Sequence, residues 1–381
     1  MKEFRILFAL ATMLILLIFS SCKEDEPVAI GPAKQNKVIA KSKLATPVVS
    51  VFASGLNNPR GLKFGPDGYL YVAEGGLGGS MTTTDTQCEQ VPGAGPYSGD
   101  YNSCISKISP DGSTRTIVVD RLPSSQTNPQ LGSLVSGVAD VAFINGQLYG
   151  IEAGAGCSHG LEGTDNTIFR VNPNGTTTTI ANLSEYQKAN PVANPEEEDF
   201  EPDGTWYSMI SVRGALYAVE PNHGEIVKVT TDGQIYRVVD VSATQGHIVP
   251  TTIAYHGNFY IGNLSTFPVS IGSSGIYKVT PSGQIKKTEG NLTTVLGLAF
   301  DSSDRMYVLE SIPSEGFPFT AGPLPGKIVC VFPSGEQQEI DTQNKLFLPT
   351  AMTFGPDGAL YVSNLGFAGA GAGEILKITF E

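Results

Sequence analysis

The chain has 381 residues, of which 40% are hydrophobic, 9% aromatic and only 16% charged, with 44 Gly and 25 Pro. That is the composition of a folded, turn-rich globular protein, and it excludes collagen, coiled-coil and disordered classes. The net charge of -13, from 24 Lys and Arg against 37 Asp and Glu, argues against nucleic acid as a partner, because nucleic-acid binders carry a basic patch.

Residues 1–21 open with Lys2 and Arg5, continue as an uncharged apolar run from Ile6 to Phe19, and end in Ser20 and Ser21 before Cys22. The run is short for a bilayer span and reads as a signal peptide. Small residues directly before a cysteine resemble a bacterial lipobox, which implies lipidation of Cys22. The following Lys23-Glu24-Asp25-Glu26 resembles the acidic export signal of surface lipoproteins in the Bacteroidetes group. The expectation is a lipoprotein of the cell envelope, held to the outer membrane through Cys22 and facing the surface or the periplasm. Residues 22–46 show no sustained apolar period and read as a flexible tether, which leaves residues 47–381 for the folded domain.

From there a unit repeats six times. Its first half is an apolar strand, a tight turn and a second strand that ends in an acid or amide, as in Gly61-Leu62-Lys63-Phe64, Gly65-Pro66-Asp67-Gly68 and Tyr69 to Glu74. Later copies end in Glu152, Glu220, Asn263, Glu310 and Asn364, each with a Tyr at one fixed place. The second half is another hairpin, with turns such as Ser109-Pro110-Asp111-Gly112 and Thr280-Pro281-Ser282-Gly283. Pro and Asp or Asn followed by Gly are what such turns require, and strands of about five residues argue for β structure. Four strands per unit and about 56 residues per unit predict an all-β, six-bladed β-propeller in one domain. The last unit lacks a fourth strand, and Val48 to Ala53 supplies one from the other end of the chain, so the predicted ring is closed by the N-terminal strand.

Besides Cys22 there are Cys88, Cys104, Cys157 and Cys330. An extracytoplasmic site permits disulfides. Cys88 and Cys104 flank one Gly-rich insert and are the expected pair, with Cys157 as the competing partner, while Cys330 lies in a strand-like run and reads as a buried small hydrophobe.

Ser54 to Gly68, the run Leu70 to Gly75, the Cys-bearing insert and Ile105 to Gly112 together resemble the opening of the ScyD/ScyE family. The resemblance implies a secreted NHL-type propeller and brings no catalytic residues with it. The acidic segment Pro195 to Gly204 departs from the family pattern.

In a four-stranded blade the two hairpin turns lie on one face and the remaining connections on the other. Every long insert here belongs to the second group, so function is expected on that face and at the channel mouth. The six strand ends Glu74, Glu152, Glu220, Asn263, Glu310 and Asn364 are expected to gather there. The carboxylates Glu74, Glu152, Glu220 and Glu310 would then suit Ca²⁺ or Mg²⁺, or would cap loop amides and solvate the rim. His159, His223 and His247 fall in loops of the same face, as candidate bases or solvated polar residues, while His256 falls on the other. Arg60 reads as an ion-pair partner of Glu74 or as an anion anchor, and Trp206 as a mouth or packing residue. No GxSxG elbow, HExxH or dinucleotide fingerprint occurs. The function expected is ligand binding or scaffolding, without catalysis, with a small molecule, glycan or peptide as partner and the protein a monomer. The alternative is a Ca²⁺- or Mg²⁺-dependent hydrolase or lactonase resembling gluconolactonases.

Overall fold

The computed structural model describes residues 44–196, 200–316 and 324–381. The signal segment, Cys22 and nearly all of the tether lie outside them. The first strand, β1 (Pro47–Leu56), does not join the blade that follows it. Blade one is β2 (Pro59–Phe64), β3 (Leu70–Glu74), β4 (Ser98–Ile108) and β5 (Arg115–Gln126), with a short edge strand β6 (Val135–Ser136). Blade two is β7 (Val138–Ile144), β8 (Gln147–Glu152), β9 (Thr167–Val171) and β10 (Thr177–Asn182). Blade three is β11 (Ser208–Val212), β12 (Ala215–Glu220), β13 (Glu225–Val229) and β14 (Ile235–Asp240). Blade four is β15 (Pro250–His256), β16 (Asn258–Asn263), β17 (Ser274–Val279) and β18 (Ile285–Leu292). Blade five is β19 (Val295–Phe300), β20 (Met306–Glu310), β21 (Lys327–Val331) and β22 (Gln337–Glu339). Blade six is β23 (Ala351–Phe354), β24 (Leu360–Asn364) and β25 (Gly373–Phe380), completed by β1. The fold is the expected six-bladed β-propeller.

β1 pairs antiparallel with β25 from Pro47 opposite Phe380 to Leu56 opposite Gly373. Thr46 and Glu381 exchange backbone hydrogen bonds of 2.9 and 3.0 Å, so the two ends of the fold hold each other and no edge strand is left at the seam. Leu44 is buried among Leu376, Ile340 and Leu346, which puts the start of the packed chain three residues ahead of the boundary read from the sequence.

The repeated Tyr has a packing reason. Tyr71 meets Phe143 of the next blade edge-on at 5.0 Å, Tyr307 meets Phe354 at 5.0 Å, and Tyr361 meets Phe64 at 4.9 Å across the seam. Such edge-to-face pairs add about 1 kcal/mol beyond their buried area, and here each ties a second strand to the first strand of its neighbour. Trp206 is fully buried between blades two and three, with Ile151, Ile168 and Met209. It packs and does not line the mouth. Cys330 is buried and free, as its strand context predicts.

The short turns close as their sequences require. The N–H of Ser109 donates to Thr114 O at 2.9 Å and that of Gly65 to Tyr69 O at 2.8 Å. Gly112 takes φ of +78°, and a Cβ there would stand 2.3 Å from Phe52 O, so only glycine fits that turn.

Candidate functional site

The site is built by irregularities at the start of the innermost strands. Pro59 pairs with Glu74, but the next registered pair is Leu62 with Val72, so Arg60 and Gly61 share one opposing residue. The same slip follows Val138 opposite Glu152, Pro250 opposite Asn263 and Val295 opposite Glu310, leaving Ala139, Thr251 and Leu296 as the extra residues. A bulge re-aims the side chain that it frees. Arg60, Ala139, Thr251 and Leu296 all line one cavity of about 480 Å³, together with Tyr207 just ahead of β11. One step further along the same strands Gly61, Asp140, Ser208, Thr252, Gly297 and Ala351 line the axial channel.

The long connections supply the walls. The insert after β3 contributes Ala94 and Tyr97, the connection after β5 contributes Leu131, Leu134 and Val135, and Glu201, Leu264, Phe267 and Phe367 come from three more loops. The lining is mostly apolar carbon with a few polar groups, as small-molecule sites are. Function was expected on this face, and here the loops and the channel mouth enclose one space.

The insert is held by a disulfide, but not the one expected. Cys88 is bridged to Cys157, with their Cα atoms 6.1 Å apart, and Cys104 is free. Cys104 lies inside β4 opposite Glu74 and is buried, whereas Cys88 sits in the part of the insert that folds over the loop leaving β8. Thr83 Oγ1 also donates to Cys157 O at 2.6 Å. The bridge therefore joins the inserts of blades one and two and does not close one loop upon itself.

Arg60 is 4% exposed. Its guanidinium donates to Pro59 O at 3.3 Å, to Val135 O at 2.5 Å and to Gly366 O, and it stacks on the Phe367 ring at 4.4 Å. Burial lowers its pKa, while the charge partner Tyr207 raises it. The expected ion pair with Glu74 is not formed, because Glu74 lies one strand further from the axis and is bonded to Arg115. Beside Arg60, the Tyr207 phenol donates to Thr350 O at 3.2 Å, and burial pushes its pKa up to about 12. Asp140 accepts from Met209 N and Val141 N at 2.8 Å, and burial raises its pKa.

The six strand ends do not converge on the axis. They close second strands, so a first strand stands between them and the channel, and none of them lines the cavity or the channel. Five of them tie the segment that enters their own blade. Glu74 accepts from Asn57 N, Glu220 from Thr205 N, Glu310 from Thr293 N and Asn364 from Phe347 N, all at 2.8 to 3.0 Å, and Asn263 donates to Ile248 O at 2.8 Å. Glu152 differs. Its Oε1 accepts from Ala153 N and Gly154 N, its Oε2 has no partner, and burial pushes its pKa up to about 8. Among the described residues no group of three or more His, Cys, Asp or Glu is gathered for a metal ion, so these carboxylates do not fit as a shared Ca²⁺ or Mg²⁺ site.

The histidines part company. His159 is fully buried behind the cavity-lining Tyr97. Its Nδ1 is 3.0 Å from Ser125 Oγ, its Nε2 lies 3.2 Å from Glu201 Oε2 without hydrogen-bond alignment, and its ring packs on Tyr97 at 4.7 Å. Tyr97 in turn donates to Glu201 Oε1 at 2.9 Å. His223 Nε2 is 3.1 Å from Glu201 O, and its backbone N–H donates to Glu220 Oε2 at 2.6 Å. His247 is half-buried in the segment entering β15, two residues from the cavity-lining Val249. His256 is on the opposite face, stacked on Phe300 and 3.1 Å from Asp304. The acidic segment turns two carboxylates inward. Asp203 accepts from Ser158 N and Oγ and pairs with Lys188, while Glu201 reaches the cavity.

Tyr97, Glu201, Tyr207 and Thr251 are the site residues that sequence reasoning missed. The odd acidity around Glu201 was the one signal available for any of them.

No protein-family model matches the chain, and no curated protein matches it in sequence. Solved structures share the fold. A protein of unknown function from Bacteroides thetaiotaomicron VPI-5482 superposes with a TM-score of 0.55 at 11% identity, covering 88% of this chain and 76% of its own. A putative oxidoreductase (glucose dehydrogenase) from Thermus thermophilus does so at 0.53 and 14%, covering 87% and 100%. A gluconolactonase from Xanthomonas campestris reaches 0.50 at 9%, covering 87% and 89%. The structural neighbours are NHL/SMP30-like six-bladed propellers, and at these identities the likeness carries the fold alone.

Proposed function

We propose that this chain is a binding protein that takes a small molecule into the cavity over the propeller axis, without catalysis. The supporting observation is the cavity itself. A space of about 480 Å³ suits a compact molecule better than a glycan chain or an extended peptide, and it is lined by residues that bulges and long inserts bring to one point. In its lining the Tyr97 hydroxyl donates to Glu201, a contact that this reading takes as a wall support. Ser125, His159 and Glu201 stand in the order of a nucleophile, base and acid, but Ser125 is fully buried and does not line the cavity, so the row serves as a wall support. The hydrolase alternative would need the strand-end carboxylates in a common site, and they are bonded separately in their own blades. In this reading the protein is a monomeric ScyD/ScyE-type propeller, lipidated at Cys22 and held to the cell envelope, with the cavity facing away from the turn face.

The test is titration with the neutral fluorescent probe N-phenyl-1-naphthylamine. Saturable binding that Leu296→Trp abolishes without a change in fold supports the reading. Binding that is insensitive to this substitution, or none at all, contradicts it. For the anchor, Cys22→Ser is expected to move the protein from the membrane fraction to the soluble one.

A further inference from the structure

We infer that the cavity takes a singly charged anion with an apolar body, its acid group held by Arg60. This rests on the binding reading above and names the ligand class for that site.

A buried guanidinium is costly unless it is paired. Among the described residues no carboxylate pairs with Arg60, although other arginines of this fold have theirs, as Arg115 has Glu74 and Arg237 has Glu225. Three backbone carbonyls accept from Arg60, out of the five N–H donors that an arginine carries. Carbonyls hold the group in place without cancelling its charge, and up to two donors remain. The charge therefore stands fixed at the wall of a mainly apolar space, the arrangement that recognises a carboxylate, sulfonate or phosphate diester on an apolar molecule. Phe367 covers one face of the guanidinium and shields it from water. Glu201 lines the same cavity and would repel a second negative charge, which sets the limit at one.

The experiment compares two probes with the same apolar body, 8-anilinonaphthalene-1-sulfonate and N-phenyl-1-naphthylamine, by fluorescence titration. The wild-type protein is expected to bind the sulfonate about tenfold more tightly or better. Arg60→Met should erase that preference, read as the ratio of the two probes' affinities within the variant, and Arg60→Lys should keep part of it. In competition, naphthalene-1-sulfonate should displace the bound sulfonate at lower concentration than naphthalene-1,5-disulfonate. Equal affinity of the two probes for the wild type overturns the inference and leaves the cavity reading standing. Failure of both probes to bind overturns the reading on which it rests. If Arg60→Met does not fold, the wild-type comparison and Arg60→Lys still decide.

Discussion

Glu74 takes its cation from Arg115 and not from Arg60. Arg115 Nη2 lies 2.6 Å from Glu74 Oε1 and 2.7 Å from Oε2, and Nε adds a third bond of 2.9 Å. The carboxylate is fully buried, and Ser106 Oγ and Asn57 N donate to it as well. Removing the cation leaves a buried charge without its partner. Arg115→Met is expected to destabilise the protein by about 2 kcal/mol, since Arg115 is partly exposed, and Glu74→Gln in the same chain should restore part of the loss. A melting temperature unchanged in Arg115→Met would show that the pair does not hold blade one.

Peptide mapping of the unreduced protein should give a linked fragment containing Cys88 and Cys157, with Cys104 and Cys330 labelled as free thiols after denaturation. The bridge spans 69 residues, so Cys88→Ser should cost about 4 kcal/mol in the chain-entropy picture. A fragment linking Cys88 to Cys104 would contradict the arrangement of the inserts.

Burial holds the Glu152 carboxyl protonated up to about pH 8 in the folded chain, against 4.5 for its ordinary value. A raised folded pKa adds stability that is fully present below pH 4.5 and is lost as pH rises through 8, because only the unfolded chain ionises over that window. Glu152→Gln should therefore gain on the wild type between pH 5 and 8, by on the order of 3 kcal/mol. Melting curves across that range measure it, and Ca²⁺ should leave the difference unchanged. A variant that falls below the wild type only in Ca²⁺ would point instead to a metal at this carboxylate.

The repeat carried most of the fold in plain view. Turns such as Gly65-Pro66-Asp67-Gly68, the recurring Tyr and the missing last strand fixed six blades and a seam closed by Val48 to Ala53. The site was harder to see because it depends on one-residue slips. Glu74 and Arg60 both end up near the loop face, and strand parity alone favoured Glu74. The bulge after Pro59 turns Arg60 to the axis, and no residue type announces a bulge. The Cys88 partner was hidden for a related reason, since the contact runs between inserts of two blades, where spacing in the chain has no bearing on distance.

Where a bound anion sits in a crystal decides the location of the site. With 8-anilinonaphthalene-1-sulfonate soaked into the wild-type protein, density for the probe is expected in the axial cavity, with sulfonate oxygens within hydrogen-bond distance of the Arg60 guanidinium and the rings against Leu296 and Phe367. A second depression, on the turn face, is lined by Lys63 and Arg213; probe density confined to it, with the axial cavity holding none, would contradict the account.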